Sequence, residues 1–488
     1  MSFFTIDLPP GVYANGTAYS GKGRFNDANL WRWYSGEQRP VGGWISRTET
    51  HVTGAARAIL AWKSNTNTPW AGIGTHTGLF SLSKSGIVAD ITPVGYQVGR
   101  ADAKLGGGYG SGPYGGGVYG RARPSTTNVI EATVWSLDTW GQDLVGCTPS
   151  DQKLYEWVPG SATPAAPIAN APQARALVVT SDRILMALGA GNPRRVKWCD
   201  QENNTDWVPT AVNYAGEFDL QTAGRLLCGR RITGGTLLFT DVDVWLATFV
   251  GQPFVYSFTR AGSGGAISSQ AVAVTDSLAV WMSQNDFKVY NAYVDSLDCD
   301  VHDKVFSDIN LVQASKIFAV HVSAFGEVWW FYPSAESVEI DRYVVWNYRE
   351  NHWNVGALAR TCGIDRGVFQ YPMMVDVEGA IWDHERGLDH GGLQPFAQTA
   401  PIELGQGDNV VSVREIIPDA SSLGDVKVSF STQFYPNGPE TGFGPYSLTQ
   451  RTDCRFTARQ LKMRFTGEDG EDFRVGKFRL EGVAGGRR

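Results

Sequence analysis

Residues 235–248 read GTLLFTDVDVWLAT: an apolar run, a turn of DVD, then a second apolar run carrying a tryptophan. Short apolar runs split by polar turns are the texture of buried strands. The same pair recurs along the chain. Its second members read LFSLS (79–83), LYEWV (154–158), VKWCD (196–200), VWLAT (244–248), FKVYN (287–291), YVVWN (343–347) and AIWDH (380–384). The runs before them are TPWAGIGT, QDLVGC, RILMALG, GTLLFTD, LAVWMS, EVWWFYP and YPMMVDV. Successive second members start 75, 42, 48, 43, 56 and 37 residues apart. Several of these gaps match the ~40–50 residues of one four-stranded propeller blade. A single unit cannot bury both faces of its sheet, whereas a closed ring of units can. The pattern predicts an all-β chain with a β-propeller of about six to seven blades over residues 51–393.

The flanks differ. In the last stretch Val426, Val428 and Phe430 alternate with Lys427 and Ser429, Leu461, Met463 and Phe465 with Lys462 and Arg464, and Phe478 and Leu480 flank Arg479. Strict period-2 alternation means one buried and one wet face, so residues 394–488 read as a C-terminal antiparallel β-sandwich. Residues 1–50 read as an arm, with Trp31, Trp33 and Trp44 close together, suited to closing the ring or docking on another subunit. The best helical spacing covers Ser307 to Ala319.

Composition sets outer limits. Glycine is 57 of 488 residues, aromatics are 12% and charged residues 19%, the last below the usual ~25%. Such a chain can bury a large core and is neither disordered nor a coiled coil. The formal charge is −7, the wrong sign for gripping phosphates over the whole surface. The six cysteines never take a Cys-x-x-Cys spacing and read as reduced, buried thiols of a protein made in a cytosol. The start, MSFFTIDLPPGVY, has no basic, apolar signal pattern. No apolar run reaches the ~18 residues of a membrane span, so no membrane insertion is expected.

Candidate chemistry is thin. Segment 106–120, GGGYGSGPYGGGVYG, spaces Tyr109, Tyr114 and Tyr119 five apart among glycines. It lacks the strand-before, helix-after setting of a phosphate loop. Tyrosines on such a loop suit contact with another subunit. DHERGLDH (383–390) offers Asp383, His384, Asp389 and His390, and DCDVHD (298–303) offers Asp298, Asp300, His302 and Asp303. Neither has the spacing of a metal site. No serine sits on a nucleophile elbow, and SLDTWGQD (136–143) lacks the order of a sialidase aspartate box. Paired carboxylates for glycoside cleavage are spatial and stay open. The reading is therefore no enzyme, no cofactor and no metal. Candidate interface residues are Tyr109, Tyr114, Tyr119, Trp31 and Trp33, and Arg487 and Arg488 in the tail are a minor candidate for phosphate contact.

Three stretches resemble a known family. The opening RFNDANLWRW…RPVGGW is similar to the start of tail proteins of short-tailed phages. VKWCDQENNTDW (196–207) with GRRITGGTLLFTDVDVWLATFVGQPFVYSFTRAGSGGAIS (229–268) resembles the tail hub or nozzle family, the packaged-DNA stabilisation proteins. VKVSFSTQFYPNGPETGFGPYS…CRFTARQLKMRFTGEDGEDFRVGKFRLEG resembles that family's closing domain. The resemblance implies a structural virion protein, assembled in the host cytoplasm and built into the tail. It implies a homo-hexamer below the portal and its adaptor ring, with tail fibres or spikes and a plug or needle as neighbours. Double-stranded DNA passes through without specific binding, and the genome is retained until ejection. Six copies at −7 each carry −42, which agrees with walls that do not hold phosphate. Two alternatives compete. One is a propeller lectin or glycan hydrolase acting on host surface polysaccharide. The other is a trimeric receptor-binding tail protein, which would show extended repeats or helical stalks.

Overall fold

The computed structural model describes the chain except residues 1, 18, 22, 107–128, 276, 404–408, 420–421, 436–437 and 487–488. Seven four-stranded antiparallel sheets follow one another along it. Blade 1 holds Ala56–Lys63, Pro69–Thr75, Leu79–Ser83 and Val88–Asp90. Blade 2 runs from Ser136–Trp140 to Ala166–Pro167, and blade 3 from Ala176–Val179 to Gly216–Asp219. Blade 4 runs from Leu226–Ile232 to Val255–Ser263, blade 5 from Val272–Val274 to Val294–Leu297, and blade 6 from Phe318–Val322 to His352–Ala357. Blade 7 holds Cys362–Ile364, Met373–Val375 and Ile381–His384, and takes its fourth strand, Trp44–Ser46, from the other end of the chain. The first strand of blade 7 lies beside that of blade 1. The ring is thus a closed β-propeller of seven blades.

In every blade the aromatic run quoted above is the third strand, and the run before it is the second. Blade 4 explains why these runs do not alternate in polarity. Val244 faces the core shared with blade 5, and Trp245 and Ala247 face the core shared with blade 3. Both faces are dry, so each position is apolar. Each large side chain buried this way contributes about 1.5–3 kcal/mol. The two long gaps are insertions between blades. The 75-residue gap holds the connector from blade 1 to blade 2, which includes segment 106–120. The 56-residue gap holds an α-helix, His302–Phe306, and a 3-10 turn, Leu311–Lys316. The helix expected over 307–319 is not continuous. The Asn310 side chain accepts from Val312 N–H and starts a new turn, and by Phe318 the chain is already the first strand of blade 6.

The sandwich is built from both ends of the chain. One sheet orders Ser2–Ile6, Phe478–Ala484, Val411–Pro418 and Thr452–Ala458. The other orders Phe25–Asn29, Phe396–Thr399, Gln460–Gly467, Val426–Gln433 and Thr441–Ser447, with Ile402–Glu403 also pairing on Gln460–Gly467. The alternating residues point as expected: Val426, Val428, Phe430, Leu461, Met463, Phe465, Phe478 and Leu480 are all buried. Residues 1–50 are therefore not a separate arm. They supply two sandwich strands, a hairpin (Trp31–Tyr34 with Glu37–Pro40) and the ring-closing strand. Phe25–Asn29 also lies along the outer strand of blade 6, and one core runs from blades 5 and 6 into the sandwich.

Candidate functional site: the axial passage

Ligand sites of ring folds are usually concave and central, so the residues on the ring axis come first. Because strands alternate in direction, the connectors between blades and the turns between second and third strands share one face. On that face the connector from blade 1 to blade 2 leaves the ring, with Lys104–Leu105 pairing antiparallel to Val129–Ile130 as a short stem. The stem is fastened to the 3-10 turn before blade 6. Gln313 exchanges two hydrogen bonds with the Ala103 backbone, at 3.0 and 2.8 Å. The Ala132 N–H donates to Ser315 Oγ at 3.2 Å. Lys316, with no exposed side chain, pairs with Asp102 at 2.6 Å and Glu339 at 3.4 Å. Arg57, on the first strand of blade 1, grips Glu339 through two nitrogens at 2.7 and 2.6 Å. Burial alone would raise the Glu339 carboxyl, but Arg57 and Lys316 hold it below the usual carboxylate range. The connector thereby joins blades 1 and 2 to blade 6.

Next to the stem, a chamber of about 50 Å³ lies among the first strands of blades 2, 3 and 4 and residues 267–269, which lead into blade 5. Glu131 lines it and is held by Arg225, with Arg175 at 3.7 Å. Burial works against the charge of Arg225, yet Glu131 raises its pKa. Toward the opposite face a chamber of about 310 Å³ is lined by Asp138, Arg230, Arg231 and Gln270 among apolar residues. Asp138 accepts from Val179 N–H, Thr139 N–H and Arg231 at 2.8–2.9 Å. Burial pushes its carboxyl up, against the pull of Arg231. Each of these carboxylates touches a guanidinium or ammonium. The arrangement fastens blades together, and general acid catalysis would require Asp138 to part from Arg231.

The residues singled out in the sequence lie elsewhere. Tyr109, Tyr114 and Tyr119 fall outside the described residues, as do Arg487 and Arg488. Trp31 and Trp33 are corrected: they are 0% and 3% exposed. Trp31 packs on Phe465 and Phe473, and Trp33 on Phe25 and His352. Both rings are interior to one chain, because the sandwich and blade 6 cover the hairpin on two sides, so neither offers a subunit interface. The two acidic histidine segments are clamps. His384 Nε2 accepts from Arg360 Nε at 2.9 Å, Asp383 pairs with Arg47 and Arg386, and His390 sits between Asp469 and the Val41 carbonyl. Asp300 pairs with Arg24, and Asp303 accepts from Gly16 N–H. Among the described residues, no three His, Cys, Asp or Glu side chains gather as a metal set.

No family model matches the chain, and no curated protein matches it. Solved structures show slight likeness. The BBS1N chain of a complex with ARL6DN shares 8% identity over 70% of this chain and 97% of its own, with a TM-score of 0.39. The N-terminal domain of Nup159 shares 8% over 70% and 94%, at 0.38. An exo-beta-1,3-galactanase from Phanerochaete chrysosporium shares 9% over 90% and 100%, at 0.30. The fold assignment rests on sheet order and ring closure.

Proposed function

We propose that this chain is a structural, ring-forming subunit of a virion: the tail hub or nozzle of a short-tailed phage, present as a homo-hexamer beneath the portal and its adaptor. The observation that carries this reading is the state of the axial passage. A connector is fastened to blade 6 at one mouth, and the carboxylates along the passage are each tied to a cation. The ring is braced, which suits a part that bears load. In a hexamer the DNA path runs between subunits, and no single propeller needs an open axis. The resemblance of segment 24–44 to the start of short-tailed phage tail proteins, and of 196–207 and 229–268 to hub proteins, supports the same role.

Native mass spectrometry of the purified chain, alone and with the portal–adaptor complex, tests this. The expected result is a hexamer of 53.2 kDa subunits, or six copies that add only on the adaptor. A monomer that ignores the adaptor would overturn it. The second reading is a propeller lectin or glycan hydrolase, favoured by one observation: Asp138 carries a carboxyl raised by burial inside the 310 Å³ chamber. Hydrolysis of a host polysaccharide that is lost in Asp138→Asn would support it.

A further inference from the structure

The 310 Å³ chamber on the ring axis carries a charge that its own residues do not cancel. Among the described residues, three charged side chains line it: Asp138, Arg230 and Arg231. Arg231 gives Asp138 a single hydrogen bond at 2.9 Å, and its side chain, 46% exposed, stands at the mouth. The Val179 and Thr139 N–H groups fill the rest of the Asp138 carboxylate. Arg230 is half-buried. Its partners are the Gly229 carbonyl at 3.0 Å, the Ser269 carbonyl at 2.9 Å and Gln270 Oε1 at 3.3 Å. None of these is a carboxylate, so one positive charge is left over in the chamber. A guanidinium has five N–H donors in a fixed fork, and these three bonds leave Arg230 its Nε–H and one Nη1–H. The fork is also held in place. The Gln270 amide that accepts from it donates to the Trp135 carbonyl at 3.0 Å, which ties the group between the lead into blade 5 and the start of blade 2. A donor fixed beforehand loses little freedom when a ligand arrives.

Charge and walls together decide the class of ligand. An anion entering here meets a guanidinium that it need not take from a protein carboxylate, and bonds between such charged partners are the strong ones. The walls are mostly apolar, with Leu60, Leu137, Leu177, Val178 and Val274. The volume lies at the small end of the roughly 300–1,000 Å³ of organic-ligand sites. We infer that the chamber binds a small monocarboxylate with an aliphatic or aromatic body, its carboxylate meeting Arg230 and Arg231 and its carbon body resting on the leucine and valine walls. Inorganic phosphate matches the sign of the charge but has nothing to set on those walls. A neutral alcohol matches the walls and leaves the charge unmet. The inference rests on neither reading above. It needs no ring of subunits, and it makes Asp138 a repelling neighbour of the ligand, where the hydrolase reading makes it a group that acts on the ligand.

The test is saturation-transfer NMR on the full chain over a concentration series of hexanoate, benzoate and, as the neutral counterpart, hexanol, each with and without inorganic phosphate. Transfer to hexanoate or benzoate is expected, well above that to hexanol, and phosphate at the same concentration should not displace the acid. Arg230→Gln and Arg231→Gln each remove the excess charge and are expected to weaken binding about tenfold. Asp138→Asn removes the competing carboxylate and is expected to tighten it. Thermal midpoints are recorded for all three variants. Should Arg230→Gln fail to fold, Arg231→Gln, at the exposed mouth, decides alone. No transfer to either acid, equal transfer to hexanol, displacement by phosphate, or unchanged binding in the arginine variants would each overturn the inference. So would weaker binding in Asp138→Asn, which would make Asp138 a ligand-holding group, as the hydrolase reading requires.

Discussion

Arg32 and Glu327 face each other side-on, Nε to Oε1 at 2.8 Å and Nη2 to Oε2 at 2.9 Å, with side chains only 2% and 4% exposed. Arg32 belongs to the N-terminal hairpin and Glu327 to the second strand of blade 6. The same guanidinium reaches Glu385, beyond the third strand of blade 7, at 2.7 and 2.9 Å, and stacks on Phe325 at 3.7 Å. Burial alone would depress its pKa, yet the two carboxylates raise it. One side chain therefore ties the hairpin to the last two blades.

Arg32→Ala leaves a buried carboxylate, Glu327, and a half-buried one, Glu385, without their cation. Breaking such a set from one side costs about 3–5 kcal/mol. The expected outcome is a fall of that size in urea unfolding, with most of it recovered when Glu327→Gln and Glu385→Gln are added. A loss below about 1 kcal/mol for Arg32→Ala would mean that the trio is solvated and holds nothing together.

Packing between blades 1 and 2 predicts a second effect. A methyl group on Gly74 would sit 2.4 Å from Cγ of Trp135. Trp135 cannot withdraw, because it is fully buried and its Nε1–H donates to the Thr75 carbonyl at 2.8 Å. Gly74→Ala is expected to destabilise by about 1–3 kcal/mol through overpacking. Gly234→Ala has open space but a positive φ of 91°, and is expected to cost about 1 kcal/mol from backbone strain alone. Thermal unfolding of the two variants side by side separates crowding from strain.

His384 sets a pH dependence. Burial first, then Arg360, then His390 push its pKa well below the ordinary 6.5. Its Nε2 accepts from Arg360, itself lowered by burial to about 10, so the ring is neutral in the native state. The unfolded chain takes up a proton near pH 6.5 and the native chain does not. Stability is then complete above about pH 6.5 and falls below it, with a slope approaching 1.4 kcal/mol per pH unit for this one group. His76 and His352, also lowered chiefly by burial, add to the slope. His302 opposes it, since Asp303 raises its pKa against burial, but its exposure makes that term small. His384→Gln keeps an acceptor for Arg360 and is expected to flatten the midpoint-versus-pH curve between pH 6.5 and 5. An unchanged curve would mean that His384 titrates as it does in the unfolded chain.

Much of the ring was legible because the signal is local. A strand buried on both faces is apolar at each position, so second strands such as Leu185–Leu188 and Ala279–Met282 stand out as runs. The third strands Leu154–Trp157, Arg195–Trp198 and Phe287–Tyr290 carry Glu156, Lys197 and Lys288 at half-buried positions and stand out by their aromatics. The seventh blade was harder, since its fourth strand, Trp44–Ser46, lies more than three hundred residues before its partner Ile381–His384. In the sandwich, period-2 alternation exposed the C-terminal strands. Ser2–Ile6 and Phe25–Asn29 carry no such alternation, and their pairing depends on where the ring leaves the chain ends. Trp31 and Trp33 misled for a related reason: an aromatic hairpin at a surface and one clamped between two domains have the same composition. The axial network was invisible because Arg57 and Glu339 are 282 positions apart. Nothing near either residue signals the other.

That network yields the last prediction. Lys316 meets both Asp102, at the foot of the stem, and Glu339, on the turn of blade 6 that Arg57 also holds. Lys316→Met keeps the length of the side chain and removes the charge. Glu339 still has Arg57, so blades 1 and 6 stay joined, whereas Asp102 loses its ammonium partner. The consequence is local: the amides of 101–106 and 129–135 exchange faster, because the connector has lost its ion pair and is left to neutral contacts from Gln313, Ser315 and Gln270 and to the Arg57 bond to the Ala101 carbonyl. Hydrogen exchange read by mass spectrometry should show at least a tenfold gain in rate there, equivalent to about 1.4 kcal/mol of opening free energy. The first strands of blades 2 to 5 should be unaffected. Equal acceleration across those strands would mean that Lys316 supports the whole ring and is not a fastener of the connector.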